Sequence, residues 1–145
     1  MKDLLYLKDD YLKEFIEKLF IGYRESFNDP KKILNKYSLG IAHHKVIHLI
    51  SLHEGITISQ LLRKLKVTKQ SLNRVLKDLI SLDAIQFKKG EKDTRLKHVF
   101  LTKKGNQIFN EIFFAQKKRI YKALINSSSV EINSFNNVLK KIINE

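Results

Sequence analysis

The thirteen residues from Asp93 to Gly105, DTRLKHVFLTKKG, leave the chain few ways to fold. Asp93, Thr94 and Arg95 have the chemistry of a hairpin tip. Val99 and Leu101 alternate as a returning strand, and Thr102 is placed to cap a helix that begins at Lys103. Ile85 and Phe87 alternate in the same way before the turn, so a hairpin is expected with its turn between Lys88 and Lys97. A hairpin that carries an exposed Arg and runs straight into a helix points to a wing set beside a helix that enters DNA.

The residues upstream supply such a helix. Thr57 and Gln60 form a T-x-x-Q capping box, so a short helix is expected from Ile58 to Leu65, burying Leu61, Leu62 and Leu65. After a tight turn at Lys66 and Val67, Thr68 caps a helix running to about Leu82. Its apolar stripe is Leu72, Val75, Leu76, Leu79 and Ile80. Two helices so joined have the logic of a helix-turn-helix, in which the first braces and the second enters the major groove. Gln70, Asn73, Arg74 and Lys77 can address base edges or phosphates, since Arg pairs with guanine and Asn or Gln with adenine. Lys69 extends the same polar face. Thr68 and Ser71 stand at the helix N-terminus, where the dipole favours phosphate oxygens. On the hairpin, Arg95 suits a narrow minor groove, Lys88, Lys89, Lys92 and Lys97 suit phosphates, and Asp93 would hold a neighbouring Arg or simply make the turn.

Helical spacing also marks both ends of the chain. Leu4 to Phe27 reads as one long amphipathic helix, ended by Asn28-Asp29-Pro30, with a short helical turn near Ile33 and Leu34. Residues 41–53 form a further helix that is expected to bury Ala42, Val46, Ile47, Leu49 and Ile50. A long helix follows from Lys103 to about Asn126. Ser128 and Glu131 then open a last one through a second capping box. The outer helices carry more aromatic and aliphatic side chains than so small a core needs, which implies a homodimer.

Charge follows this layout. The net charge is +13, but residues 1–54 carry nine Lys/Arg against eight Asp/Glu, residues 55–105 thirteen against four, and residues 106–145 six against three. Codon bias toward Lys would spread the excess along the chain. Its concentration in the middle third favours a polyanionic partner, double-stranded DNA in this setting. There is no Cys, so disulfides, thiolate metal sites and thiol redox sensing are excluded. The N-terminus is broken by charges every few residues, which fits neither a signal peptide nor a membrane span, and a cytoplasmic location with no membrane partner is the default expectation.

Residues 40 to 105 resemble the MarR family of winged-helix transcription regulators. The matching pieces are GIT-x-x-x-LL from Gly55 to Leu62, VTKQSLNRVLKDL from Val67 to Leu79, and the wing pattern D-x-R-x-x-x-V-x-L-T-x-x-G. The family's reader segment falls on Leu72, Asn73 and Arg74, and its D-x-R on Asp93 and Arg95. LGIAHHKVIHLI from Leu39 to Ile50 is similar to a subgroup with an AHH-type start. The resemblance implies a single mainly α domain over 1–145, with a winged helix-turn-helix lobe at 41–105 and dimerisation helices at 1–40 and 106–145. It further implies a homodimer on a pseudo-palindromic operator, commonly a repressor, released by a small aromatic or lipophilic effector in a crevice beside the dimer helices. Two departures stand out. Asp83 replaces the usual Gly after the reader helix, which is expected to alter that turn, and the absent Cys excludes the peroxide-sensing branch.

His43, His44, His48 and His53 cluster on the second helix, and His44 with His48 has the i, i+4 spacing of a metal pair. Zinc-sensing relatives draw further His ligands from the helix after the wing, where this chain has none. His44 and His48 are therefore read as lining the dimer or effector crevice, or as simply satisfying hydrogen bonds there, with neither metal nor cofactor expected. Asp9, Asp10, Glu14 and Glu17 are interleaved with Lys and read as a solvated helix face. No G-x-S-x-G, H-E-x-x-H, phosphate-cradling glycine run or nucleophilic Cys is present, which argues against an enzyme. The alternatives to a sequence-specific regulator are a low-specificity architectural DNA binder and a protein-interaction winged helix.

Overall fold

The computed structural model describes residues 4–144, so residues 1–3 and 145 of the expected 1–145 domain lie outside the described residues. The elements run α1 (Asp9–Asn28), α2 (Lys31–Lys36), α3 (Ile41–Leu52), β1 (Ile56–Thr57), α4 (Ile58–Leu65), α5 (Lys69–Ser81), β2 (Ile85–Lys89), β3 (Lys97–Leu101), α6 (Lys103–Ile125) and α7 (Ser129–Ile142). This is the mainly α architecture with a hairpin wing. The expected helix from Leu4 instead begins at Asp9, preceded by a 3₁₀ turn over Leu5–Leu7 and an extended Lys8. The acidic pair Asp9 and Asp10 thereby occupies the first turn, where the helix dipole favours negative charge.

The chain divides into two compact units, residues 30–114 and the residues that precede and follow them. All fifteen hydrophobic residues buried in the described structure belong to the first of these, from Leu34 to Ile112. Its core gathers Val46, Ile47 and Ile50 of α3, Leu61 of α4, Leu72, Leu76 and Leu79 of α5, Val99 of β3, and Ile108 and Ile112 of α6. Two side chains depart from expectation. Ile80 is 49% exposed, because at 3.6 residues per turn it lies about 80° around the helix from Leu72 and leaves the buried stripe. Ala42 is exposed as well and lines an open cleft with Ile41, Leu65, Val67 and Val75. On α3 it is His44 that fills the inner face.

Three strands, not two, make the sheet, in the antiparallel order β1-β3-β2. Ile85 pairs with Leu101 and Lys89 with Lys97, while Ile56 pairs with Val99. β1 was not legible because two residues cannot show an alternation. Both capping boxes form: Gln60 N donates to Thr57 Oγ1 at 3.2 Å with Thr57 N donating to Gln60 Oε1 at 2.9 Å, and Ser128 and Glu131 reciprocate in the same way.

The wing is fastened at its base by Thr102. Its hydroxyl accepts from Gly105 N at 3.0 Å and donates to the Asp83 carbonyl at 2.6 Å, while its own N–H donates to the Ala84 carbonyl at 3.0 Å. Asp83 takes the left-handed conformation at φ 59°, so the turn keeps the shape a glycine would give it, and the Thr102 hydroxyl on its carbonyl helps to hold it there. Gly105 is buried against the same turn, and a Cβ at that position would collide with the Ala84 carbonyl.

The unit made of both chain ends is held by polar clasps. Arg119 of α6 grips the Asp29 carboxylate through Nε at 2.7 Å and Nη2 at 3.0 Å, and Gln116 donates to the Ser26 carbonyl at 3.1 Å. The Arg119 hydrogen bonds hold the Asp29 carboxyl below the usual carboxylate range. α1 and α7 bury no residue. Among the described residues no helix is long and apolar enough to cross a membrane. Gly105→Ala is expected to cost about 1–3 kcal/mol through the clash with the Ala84 carbonyl, read as a lowered denaturation midpoint, and an unchanged midpoint would contradict that contact.

Candidate nucleic-acid interface

The polar face of α5 is set by its buried one. With Leu72, Leu76 and Leu79 held in the core, the 100° step per residue turns Gln70, Asn73, Arg74 and Lys77 onto one outward stripe, and all four are exposed. Lys69 and Ser71 fall on opposite flanks of the first turn. Thr68 caps that turn, accepting from Ser71 N at 3.1 Å while its hydroxyl donates to Ser71 Oγ at 2.9 Å. The two hydroxyls are thus coupled to each other at the helix N-terminus. Among the described residues Lys69, Arg74 and Lys77 take part in no ion pair.

The hairpin distributes its cations over two faces. Strand alternation places Lys89 and Lys97 with Phe87 and Val99, and Lys88 with His98 and Phe100. Lys88 Nζ lies 4.9 Å from the centre of the Phe100 ring, and Lys97 Nζ 6.0 Å from that of Phe87, so both ammonium groups rest over aromatic faces. Lys92 is exposed in the loop. The strand lysines expected from sequence therefore lie on both faces of the hairpin.

At the tip, Asp93 clasps Arg95. Arg95 Nε donates to Asp93 Oδ1 at 3.1 Å, Nη2 to Oδ2 at 3.2 Å, and the backbone N–H to Oδ1 at 3.0 Å. Arg95 is nevertheless 89% exposed. The side-chain hydrogen bonds from Arg95, followed by the one from its backbone, hold the Asp93 carboxyl below the usual carboxylate range. Behind the tip, the wing is tied to the turn before β1 by a hydrogen bond of 2.8 Å between His98 Nδ1 and the Gly55 carbonyl.

The histidine cluster separates into different environments. His44 is fully buried and offers no surface of its own in this conformation. His48 is half-buried, edge-on to His44 at 6.4 Å and to Phe109 at 5.8 Å between ring centres. Burial, and secondarily the charge of His53, push its pKa below the usual histidine value. Among the described residues no group of three or more His, Cys, Asp or Glu is placed to hold a metal. His43 does something the sequence did not disclose. Its Nδ1 accepts from Gly40 N at 3.0 Å, which leaves Nε2 to donate to Asp78 Oδ2 of α5 at 2.9 Å. The available signals were the position of His43 three residues into α3 and the isolation of Asp78 as the one acid on α5.

Comparison with known proteins places this geometry in context. The MarR family model matches residues 37–96. The HTH-type transcriptional regulator PetP of Rhodobacter capsulatus is 38% identical over 140 residues, covering 97% of this chain and 84% of its own. Among solved structures, MarR of Staphylococcus aureus in complex with salicylate and kanamycin superposes with a TM-score of 0.72 at 22% identity, over 94% of this chain and 95% of that one. FabT of Streptococcus pneumoniae in complex with DNA gives 0.69 at 22% identity, over 94% and 96%. The two structures share the fold.

Because the folded pKa of Asp93 is depressed, the clasp is intact above the ordinary carboxylate value and is lost as pH falls through the folded one. In a carboxyl-carbon NMR titration the Asp93 midpoint is expected below 3.8 and Arg95→Ala to raise it, whereas a midpoint at or above 3.8 in the parent protein would refute the clasp.

Proposed function

The chain belongs to the MarR family of DNA-binding transcription regulators, and from that premise we propose that it acts as a homodimeric repressor of a pseudo-palindromic operator, released by a small effector. The observation that carries the DNA-reading part is the outward stripe of α5. Four side chains with base-reading chemistry are exposed there, and the cations among them are not spent on protein carboxylates. In this reading α5 lies in the major groove, with Arg74 on a guanine and Asn73 or Gln70 on an adenine. Thr68, Lys69, Ser71 and Lys77 meet phosphates around the helix. Arg95, steadied by Asp93, enters the adjacent minor groove, and Lys88, Lys89, Lys92 and Lys97 contribute phosphate contacts without sequence choice.

Dimerisation is supported by where burial stops. α1 and α7 bury nothing, while Leu12, Phe15 and Phe20 of α1 and Phe135, Val138 and Ile142 of α7 stand exposed. Apolar faces of this extent are covered in a second copy, and two copies supply two half-site readers. For the effector, a small aromatic or lipophilic molecule finds its apolar edge at His48 and Phe109, with His44 behind them in the core. Release then requires that the molecule bind a dimer conformation whose reader helices no longer match the operator better than it binds the DNA-bound one.

Competition binding tests the central claim. A fragment of the protein's own promoter is expected to win over random DNA by roughly 10³-fold or more, and equal affinities would favour a low-specificity architectural role. Arg74→Ala should cost about 1–3 kcal/mol on the operator and relax one base position, whereas Lys92→Ala should weaken all sequences alike. Light scattering of the purified protein should give the mass of two chains, and a stable monomer at micromolar concentration would refute the dimer.

A further inference from the structure

Asp78 is the only acid on α5 and lies four residues from Arg74, so the two are neighbours on the helix surface. A carboxylate in that position is a natural partner for the guanidinium. The structure pairs it elsewhere: Asp78 Oδ2 accepts from His43 Nε2 at 2.9 Å, and among the described residues no carboxylate is paired with Arg74. His43 is itself fixed. Its Nδ1 accepts from Gly40 N at 3.0 Å at the start of α3, and its side chain is only 17% exposed, against 55% for Asp78. The backbone donor at Nδ1 places the imidazole proton on Nε2, where it can only donate.

We propose that His43 is a positioning residue for DNA reading, which draws the Asp78 carboxylate aside toward α3 and thereby keeps the Arg74 guanidinium available to a base. The proposal rests on the assignment of Arg74 as a base reader. One imidazole performs two tasks. It caps α3 in place of the usual N3 Glu or Gln, and it holds the one negative charge on α5 away from the base-reading stripe. Without it, Asp78 swings back to Arg74 at i, i+4, and the guanidinium must break an ion pair before it reaches guanine. The loss falls on sequence preference, because a carboxylate one turn away competes with the base for the guanidinium and for the direction in which its fork points.

The test is a double-mutant cycle read by operator and random-DNA binding. His43→Ala is expected to lower operator affinity by roughly tenfold, with a smaller change on random DNA. His43→Gln, whose amide can accept from Gly40 and donate to Asp78, is expected to retain most of the affinity. Asp78→Asn removes a negative charge near phosphates and will help binding somewhat in any background. The diagnostic is that it helps markedly more in the His43→Ala protein, restoring operator preference. An equal gain in both backgrounds, or a His43→Ala protein that binds like the parent, overturns the proposal. Should His43→Ala melt early, the same cycle in His43→Gln and His43→Leu, with folding checked by circular dichroism, decides between the same two outcomes. Arg74→Ala separates the reader assignment from the role of His43. If it leaves operator preference unchanged, the reader assignment itself fails and this proposal falls with it. If it reduces preference while the cycle shows no coupling, this proposal alone is refuted.

Discussion

The contact on which the lobe depends is the junction of Thr102 and Gly105 with the turn at Asp83 and Ala84. Three separate requirements meet in that space. The end of α5 must reverse into β2, the returning strand β3 must close beside it, and α6 must begin. Thr102 satisfies all three with one hydroxyl and one N–H, bonding the carbonyls of Asp83 and Ala84 and capping α6 at Gly105. Gly105 lets the helix come close enough for this to happen. Asp83 is strained at φ 59°, and a strained residue persists only where its surroundings over-determine it. The bonds from Thr102 are that over-determination. The orientation of α5 relative to the wing is thus set at its C-terminal end, remote from the stripe that carries Arg74.

The sequence disclosed most of this, and its omissions have physical causes. Caps were readable because Thr57, Gln60, Thr68, Ser128 and Glu131 act on backbone donors within three residues, so their geometry is local. α5 was readable because a strong apolar stripe fixes which side chains face outward. β1 was not, since two residues acquire strand character only by pairing with β3. The burial of His44 in preference to Ala42 was hidden for a similar reason. α3 is enclosed on more than one side, and periodicity says little about a helix whose apolar stripe is wide. Which face each wing lysine takes was not legible either: pairing register places Lys88 opposite His98 on one face and Lys89 opposite Lys97 on the other. Register depends on the whole hairpin and is not written in any one residue. The His43 link to Asp78 joins positions 35 apart in sequence and had no local signature beyond an unusual residue at N3.

Burial separates the two units of the chain. The lobe contains every buried hydrophobic side chain of the described residues, so its folding can be driven by its own core. The helices from the two chain ends are joined by polar clasps such as Arg119 on Asp29, and exposed ion pairs contribute little net stability. Such helices need apolar burial from elsewhere. In the proposed homodimer they obtain it from the second copy, and their order then depends on protein concentration while that of the lobe does not. The lobe's order is thus its own, while that of the terminal helices is left to whatever covers their apolar faces.

Three arginines show how one side chain is prepared for different work. Arg119 is committed to Asp29 and Glu25 and serves structure. Arg95 is held by Asp93 through Nε and Nη2, which uses two of the five guanidinium donors and leaves about three for solvent or DNA. In the proposed complex that arrangement pre-orders a long side chain and lowers the entropy cost of inserting it into a groove, while part of its charge is already offset. It suits recognition of groove shape and potential, which needs a placed cation more than a complete fork. Base reading by bidentate hydrogen bonds has the opposite requirement, because both fork donors must be free at the moment of contact. Arg74 meets it, although an acid stands one turn away on the same helix. The difference between the two arginines lies in the neighbouring carboxylate: Asp93 turns toward its Arg, and Asp78 is turned away from its own by a histidine on another helix.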